Sequence, residues 1–298
     1  MENIRITYNQ IELVDTIHSF RYLPLKVLIK IAKKQNLYSH KQNLGRIIIK
    51  LEKRGYIKSF FYGNNWKVLY ITKFGGELLT QAKGILAKDL SVPNQNGKLQ
   101  FAMLEHTVSI AELYEQLTDQ LPNYTNLRLV DWQGDQKCFY QYTIRVYDSG
   151  RNQKRNLSPD SYFKLIKGDE SIEFFLEYDT GQMDKDQLAR KFMRYFEYFI
   201  YGNWKESFLT FPSILFITER SEKETTKLVV QDNFNIEQAL ENRNQFTDSD
   251  NVIYRGIGYS DNLKSYSFEE ITSFLKTRII FTNKNEIWAK QLLEKLSQ

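Results

Sequence analysis

The chain has 298 residues, enough for one large or two ordinary domains, and its 42% hydrophobic and 14% aromatic content can supply real cores. Cys138 is the only cysteine, which excludes an internal disulfide and suits a reducing, cytoplasmic setting, while the three scattered histidines argue against a zinc site. No secretory pattern opens the chain, no apolar run approaches the roughly 18–20 residues of a membrane span, and the net charge of +5 is unevenly spread: residues 1–90 hold 16 Lys and Arg against 6 Asp and Glu, the remainder 25 against 30.

A basic first third joined to an acidic body points to a polyanionic partner for the first part. Apolar periodicity predicts helices over 10–20, 24–35 and 40–54. In the third, Leu44, Ile47, Ile48 and Leu51 face a core, while Gln42, Asn43, Arg46, Lys50 and Lys53 fall on the opposite arc. Ser39 and Gln42 fit a capping box at its start, His40 stands beside it, and Gly55 supplies the positive φ of a C-terminal cap. IKSFF, a GNN turn and WKVLYI then read as a hairpin, and Thr72 caps a helix through KFGGELLTQAK.

Pro, Gly, Ser and Asn gather in SVPNQNG, which makes 91–98 a linker between a domain of residues 1–90 and one of 99–298. An amphipathic helix over 99–120 follows, then strands at 127–131, 138–147, 160–166 and 172–179, a helix from Lys185 to Tyr201 and a buried strand at 213–218. Beyond 220 the pattern is weaker: a helix near 224–230 or 236–242, a strand at 252–258, and helices near 267–276 and 285–297.

The chemistry concentrates in SPDSYFKLI and EFFLEYDTG. Residues two apart on a strand share a face, so Glu177 and Asp179 project together, and Asp160 can join them from a neighbouring strand. Three convergent carboxylates would suit a hard cation such as Mg²⁺. As plain ion pairs, Glu177 and Asp179 could instead be neutralised by Arg190, Lys191 and Arg194 on the following helix. Glu173 shares the strand face and reads as a solvated edge residue.

Two resemblances follow. Residues Leu44 to Leu79, with their RGYI, hairpin and T-x-x-G rhythm, resemble a winged helix-turn-helix. That implies that helix 40–54 enters the major groove of double-stranded DNA. Gln42, Asn43 and Arg46 would then read bases, and Lys41, Lys50, Lys53, Lys58 and Lys67 would meet phosphates. The PD at 159–160 and the acids at 177 and 179 resemble the PD-(D/E)XK nucleases, whose restriction-endonuclease-like core has the order α-β-β-β-α-β. The lysine expected at 179 is replaced by Asp179, and Lys191, at the edge of the apolar stripe Leu188, Phe192, Tyr195 and Phe199, would supply it from the helix. Glu105 or Glu112 would add a further acid.

Together, PD…FFLEYDTG…QLARKFMRY after a winged helix resembles the bacterial replication-relaxation proteins of plasmids and conjugative elements, over roughly residues 10–220. The expected fold is α+β or α/β, a winged helix followed by a mixed-sheet domain. The expected function is a DNA-binding accessory protein of plasmid or mobile-element replication, relaxation or transfer. Other replication or relaxosome proteins are its expected partners, and a homodimer is left open. The alternative is a Mg²⁺-dependent nuclease or nickase using Asp160, Glu177, Asp179 and Lys191.

Overall fold

Thr7 starts the first helix. Its hydroxyl accepts from Gln10 N–H at 3.4 Å while the Gln10 side chain accepts from Thr7 N–H at 3.1 Å, a reciprocal cap that opens α1 (Tyr8–Ser19). The computed structural model describes residues 6–38, 41–63, 66–86, 90, 92, 101–145, 151–220, 270, 273–274, 277–284 and 287–298. A two-residue strand β1 (Leu23–Pro24) leads into α2 (Leu25–Lys34), and α3 (Lys41–Lys53) follows. Gly55, at φ +75°, turns the chain out of α3 into β2 (Ile57–Tyr62), which pairs antiparallel with β3 (Trp66–Ile71). β1 lies on the other edge of β3, giving the order β1-β3-β2. Ser39 and His40 lie outside the described residues, as do the side chains of Lys41 and Gln42.

Thr72 caps α4 (Lys73–Lys83), its hydroxyl accepting from Gly75 N–H at 3.2 Å. Gly75 is required there, because a Cβ would stand 2.2 Å from the Tyr56 carbonyl oxygen, a backbone atom that cannot swing away. Gly75→Ala is therefore expected to cost about 1–3 kcal/mol, read as a lower urea midpoint for the full chain. An unchanged midpoint would mean that the β2 entry relaxes freely.

The helix α5 (Phe101–Gln120) belongs to this first compact unit, which runs to Thr125 and takes in residues 133–137. The compact division falls after α5 rather than at 91–98. Leu104 and Val108 pack on Tyr22 and Val68, and Lys26 and Lys30 of α2 reach Glu112 at 3.6 Å and Glu115 at 2.6 Å. The apolar packing carries the energy, since half-exposed ion pairs are worth little.

The second unit comprises residues 126–132 and 138–298. Its five-stranded sheet has the order β10-β9-β8-β7-β4, from β4 (Leu127–Gly134), β7 (Ser161–Lys167), β8 (Glu170–Asp179), β9 (Ser213–Thr218) and β10 (Ile279–Asn283). β7 and β8 form an antiparallel hairpin; β8, β9 and β10 run parallel. The crossover between β8 and β9 is α6 (Lys185–Tyr201), opened by a reciprocal cap between Asp184 and Gln187. The segment predicted as a strand over 138–147 does not enter this sheet. As β5 (Tyr140–Arg145) it pairs with β6 (Asn152–Leu157) in a separate two-stranded ribbon.

Leu188, Phe192, Tyr195 and Phe196 of α6 meet Phe175 and Phe216 of the sheet and Tyr142 and Leu157 of the ribbon in one buried cluster. The other face of β8 stacks Phe174 on Phe163 and Phe163 on Trp132. The chain is thus α+β with a mixed sheet. Sequence pattern does not predict β10, and the closing helix α7 (Trp288–Ser297) begins three residues later than its periodicity suggests. The expectations for 221–269 lie outside the described residues. No described helix is long and apolar enough to cross a membrane.

Candidate functional site

Strand register creates the site. Ser161 pairs with Leu176, so Asp160 falls level with Glu177 as the hairpin closes. Tyr178 N–H donates to Asp160 Oδ2 at 2.8 Å and fixes that carboxylate beside the strand. From α6, one helical turn apart, come Lys191 and Tyr195. The Lys191 ammonium pairs with Glu177 Oε2 and stands 3.4 Å from Asp160 Oδ2, and the Tyr195 hydroxyl donates to Glu177 Oε1. Glu177 is 1% exposed and Tyr195 fully buried.

Burial sets the protonation states. It pushes Glu177 up to about 8; Lys191 opposes this and the neighbouring Asp160 adds to it. Burial would lower Lys191, but Asp160 and Glu177 outweigh it and hold the ammonium above its usual range. Burial, with the Glu177 charge behind it, raises Tyr195 well above an ordinary phenol. Because folding raises the Glu177 pKa, the folded chain binds more protons than the unfolded chain between about pH 4.5 and 8. Its stabilising contribution is complete below that window and is lost as pH rises through about 8. The stability difference between wild type and Glu177→Gln should therefore move against wild type from pH 5 to pH 9. A difference constant across that range would show an ordinary, ionised Glu177.

Asp179 shares the sheet face of Glu177 but has different company. Arg220 Nε donates to its Oδ2 at 2.6 Å, Thr218 Oγ1 to the same oxygen at 3.0 Å, and Gly181 N–H to Oδ1 at 2.9 Å. Arg220 also donates to the Met183 carbonyl, tying the end of β8 to the approach to α6. Asp160, Glu177 and Lys191 are thus brought together, while Asp179 is engaged by Arg220 rather than by Arg190 or Arg194. Among the described residues, no three His, Cys, Asp or Glu side chains stand together as a metal cage. Glu112 is engaged by Lys26 and Glu105 faces solvent. Glu173 is buried rather than solvated, paired with Lys164 at 3.0 Å.

Two partners escape a reading of the sequence alone. Tyr195 looks there like an apolar position only, although its place four residues after Lys191 puts it on the same helix face. Arg220 follows β9, and its role depends on Thr218 pairing with Asp179 in the parallel ladder.

In the first unit, Asn43, Arg46, Lys50 and Lys53 are exposed on α3, and Lys58 is exposed on β2. The other basic side chains there are largely engaged. Lys30 is held by Glu115 and Asp119, Lys83 by Glu12 and Asp15, and Lys67 by Glu52 at 3.1 Å. Lys67, expected on phosphate, is instead part of this internal pairing. Among the described residues, no acidic side chain lies within ion-pair distance of Arg46, Lys50, Lys53 or Lys58. On the hairpin, Phe61 is 73% exposed next to the turn.

A family model described as replication-relaxation matches residues 28–214, more than half of the chain and all of the Asp160–Glu177–Lys191 cluster. Comparison with curated proteins and with solved structures gives no match.

Proposed function

The chain belongs to the replication-relaxation family, and we propose that it serves plasmid or mobile-element replication, relaxation or transfer as a duplex-DNA-binding accessory protein. One observation carries this reading: Arg46, Lys50 and Lys53 of α3 are exposed and, among the described residues, without acidic partners, while Lys30 of α2 and Lys83 of α4 are consumed internally. The order of helices and hairpin around α3 supports a winged helix. In that arrangement Asn43 and Arg46 meet base edges, and Lys50, Lys53 and Lys58 meet phosphates. Lys41 and Gln42 open the same helix and are assigned phosphate and base contacts with it. The test is binding of the full chain to duplex DNA across salt concentrations; affinity insensitive to salt would end the proposal.

A second reading rests on the convergence of Asp160, Glu177 and Lys191. The order of the hairpin, α6 and β9 supports a PD-(D/E)XK core, and Mg²⁺ is commonly held by only one or two carboxylates with waters and phosphate oxygens. Asp160 and Glu177 fit that donor set once the Lys191 ammonium moves off them; Asp179, held by Arg220, would act as a support. A bound divalent ion would supply neutralising charge at a phosphodiester. Lys191, displaced toward the phosphate, would hold a non-bridging oxygen, and Tyr195 would keep Glu177 aimed. Nicking of supercoiled DNA with Mg²⁺ or Mn²⁺, lost in both Asp160→Ala and Lys191→Ala, supports this reading. Nicking that survives either change removes it.

A further inference from the structure

A cleft of about 480 Å³ reaches Glu177 and Lys191 of the Asp160–Glu177–Lys191 cluster. Its lining pairs the exposed side of α6 with the ribbon. Arg190 and Arg194 bring two guanidinium groups one helical turn apart. The lining also holds Phe139, whose ring is 57% exposed, and the amide groups of Asn156 and Gln187. Glu177 closes the floor.

These groups match the parts of one unstacked nucleotide. Guanidinium groups bind phosphate oxygens in a fixed fork geometry. An exposed aromatic ring offers a stacking face to a base, and amides can both donate to and accept from its edge. The size agrees: ligand clefts run from roughly 300 to 1,000 Å³, and this one, near the lower end, takes a nucleotide and no duplex. In a duplex, both faces of each base are stacked and its pairing edge is used, so Phe139 and the amides would have nothing to meet.

We propose that this cleft binds single-stranded DNA, with one splayed nucleotide stacked on Phe139 and its phosphates held by Arg190 and Arg194 above Glu177 and Lys191. The site is separate from α3 and rests on the reading of the chain as a DNA-binding protein only in the choice of polymer. An unwound strand, rather than the duplex α3 would recognise, is the substrate class it offers to the acid–lysine cluster. Aromatic stacking without base-edge recognition at every position makes the binding tolerant of sequence.

The test uses the full chain and two probes: a fluorescent oligothymidine and a duplex of mixed sequence. Phe139→Ala, at an exposed position, is expected to weaken oligothymidine binding by about tenfold or more, as removal of one base–aromatic stack does. Arg190→Ala with Arg194→Ala should weaken it as well and flatten its salt dependence by about 1.4 units, since each phosphate neutralised on a single strand adds about 0.7 to the log–log slope. Neither change should alter duplex affinity. Arg190→Lys with Arg194→Lys, which keeps the charge, should restore the salt dependence and serves as a folding control. Oligothymidine affinity that is untouched by Phe139→Ala and by the double arginine change overturns the proposal, even if α3 binds duplex normally. Loss of duplex binding on changing α3, with single-strand binding unmoved by the cleft changes, would likewise leave the α3 reading standing and this one refuted. Cleft-dependent single-strand binding without any α3-dependent duplex binding would uphold this proposal and refute the other.

Discussion

Replacing Lys191 with Met is expected to destabilise the second unit by about 3–5 kcal/mol at pH 9, where Glu177, with its pKa pushed up to about 8, is ionised; that is the range found when one partner of a buried ion cluster is removed. The ammonium neutralises Glu177, which is 1% exposed, and lies 3.4 Å from Asp160, so its removal leaves two carboxylates facing each other in a poorly solvated corner. Met keeps most of the stem and fills the space, so lost packing contributes little. Uptake of a proton caps the penalty: burial already pushes Glu177 up to about 8, and without the lysine its pKa rises further. The cost should therefore be smaller at pH 5 than at pH 9. Adding Glu177→Gln to the variant should recover most of the loss, because the amide needs no counter-charge. Amide hydrogen exchange in β8 and α6 gives a local readout that does not depend on the whole chain unfolding in one step. A variant within about 1 kcal/mol of wild type at both pH values would show that water, not Glu177, holds the ammonium.

This cluster also marks what the sequence can and cannot tell. Alternation puts Glu177 and Asp179 on one face, and the face is shared. But two residues along a strand span about 6.6 Å, enough for each carboxylate to find its own partner. Which partner it finds depends on the parallel pairing of β8 with β9, set by a crossover through α6 and invisible to local periodicity. Lys191 is legible because helical spacing places it at the edge of an apolar stripe. The ribbon strand β6 is not, because NQKRNL has neither apolar alternation nor strong strand formers. The amphipathic character of α5 is plain, while the surface it covers is fixed by Tyr22, Val68, Lys26 and Lys30, far away in sequence.

Changing Lys50, Lys53 and Lys58 together to Ala is expected to reduce the salt dependence of duplex binding by about two to three units, since each phosphate contact contributes roughly 0.9 to the log–log slope. With the phosphate contacts of Lys41, Lys50, Lys53 and Lys58 the wild-type slope should lie at roughly −3 to −4. The loss should follow engagement rather than charge alone. Lys30→Ala removes the same formal charge from α2, but Lys30 sits 2.6 Å from both Glu115 and Asp119, so its positive field is already spent inside the unit. That variant should leave the slope unchanged and so separates direct engagement from net charge. Asn43→Ala asks a different question, because an amide contributes no counterion release. Its effect should appear as about 1–3 kcal/mol of lost discrimination at one or two base pairs, with affinity for random duplex preserved. If Asn43→Ala weakens cognate and random DNA equally, α3 touches only backbone. If the triple change leaves the slope where it was, the exposed face of α3 is not the DNA-binding surface, and its cations merely keep that face in water.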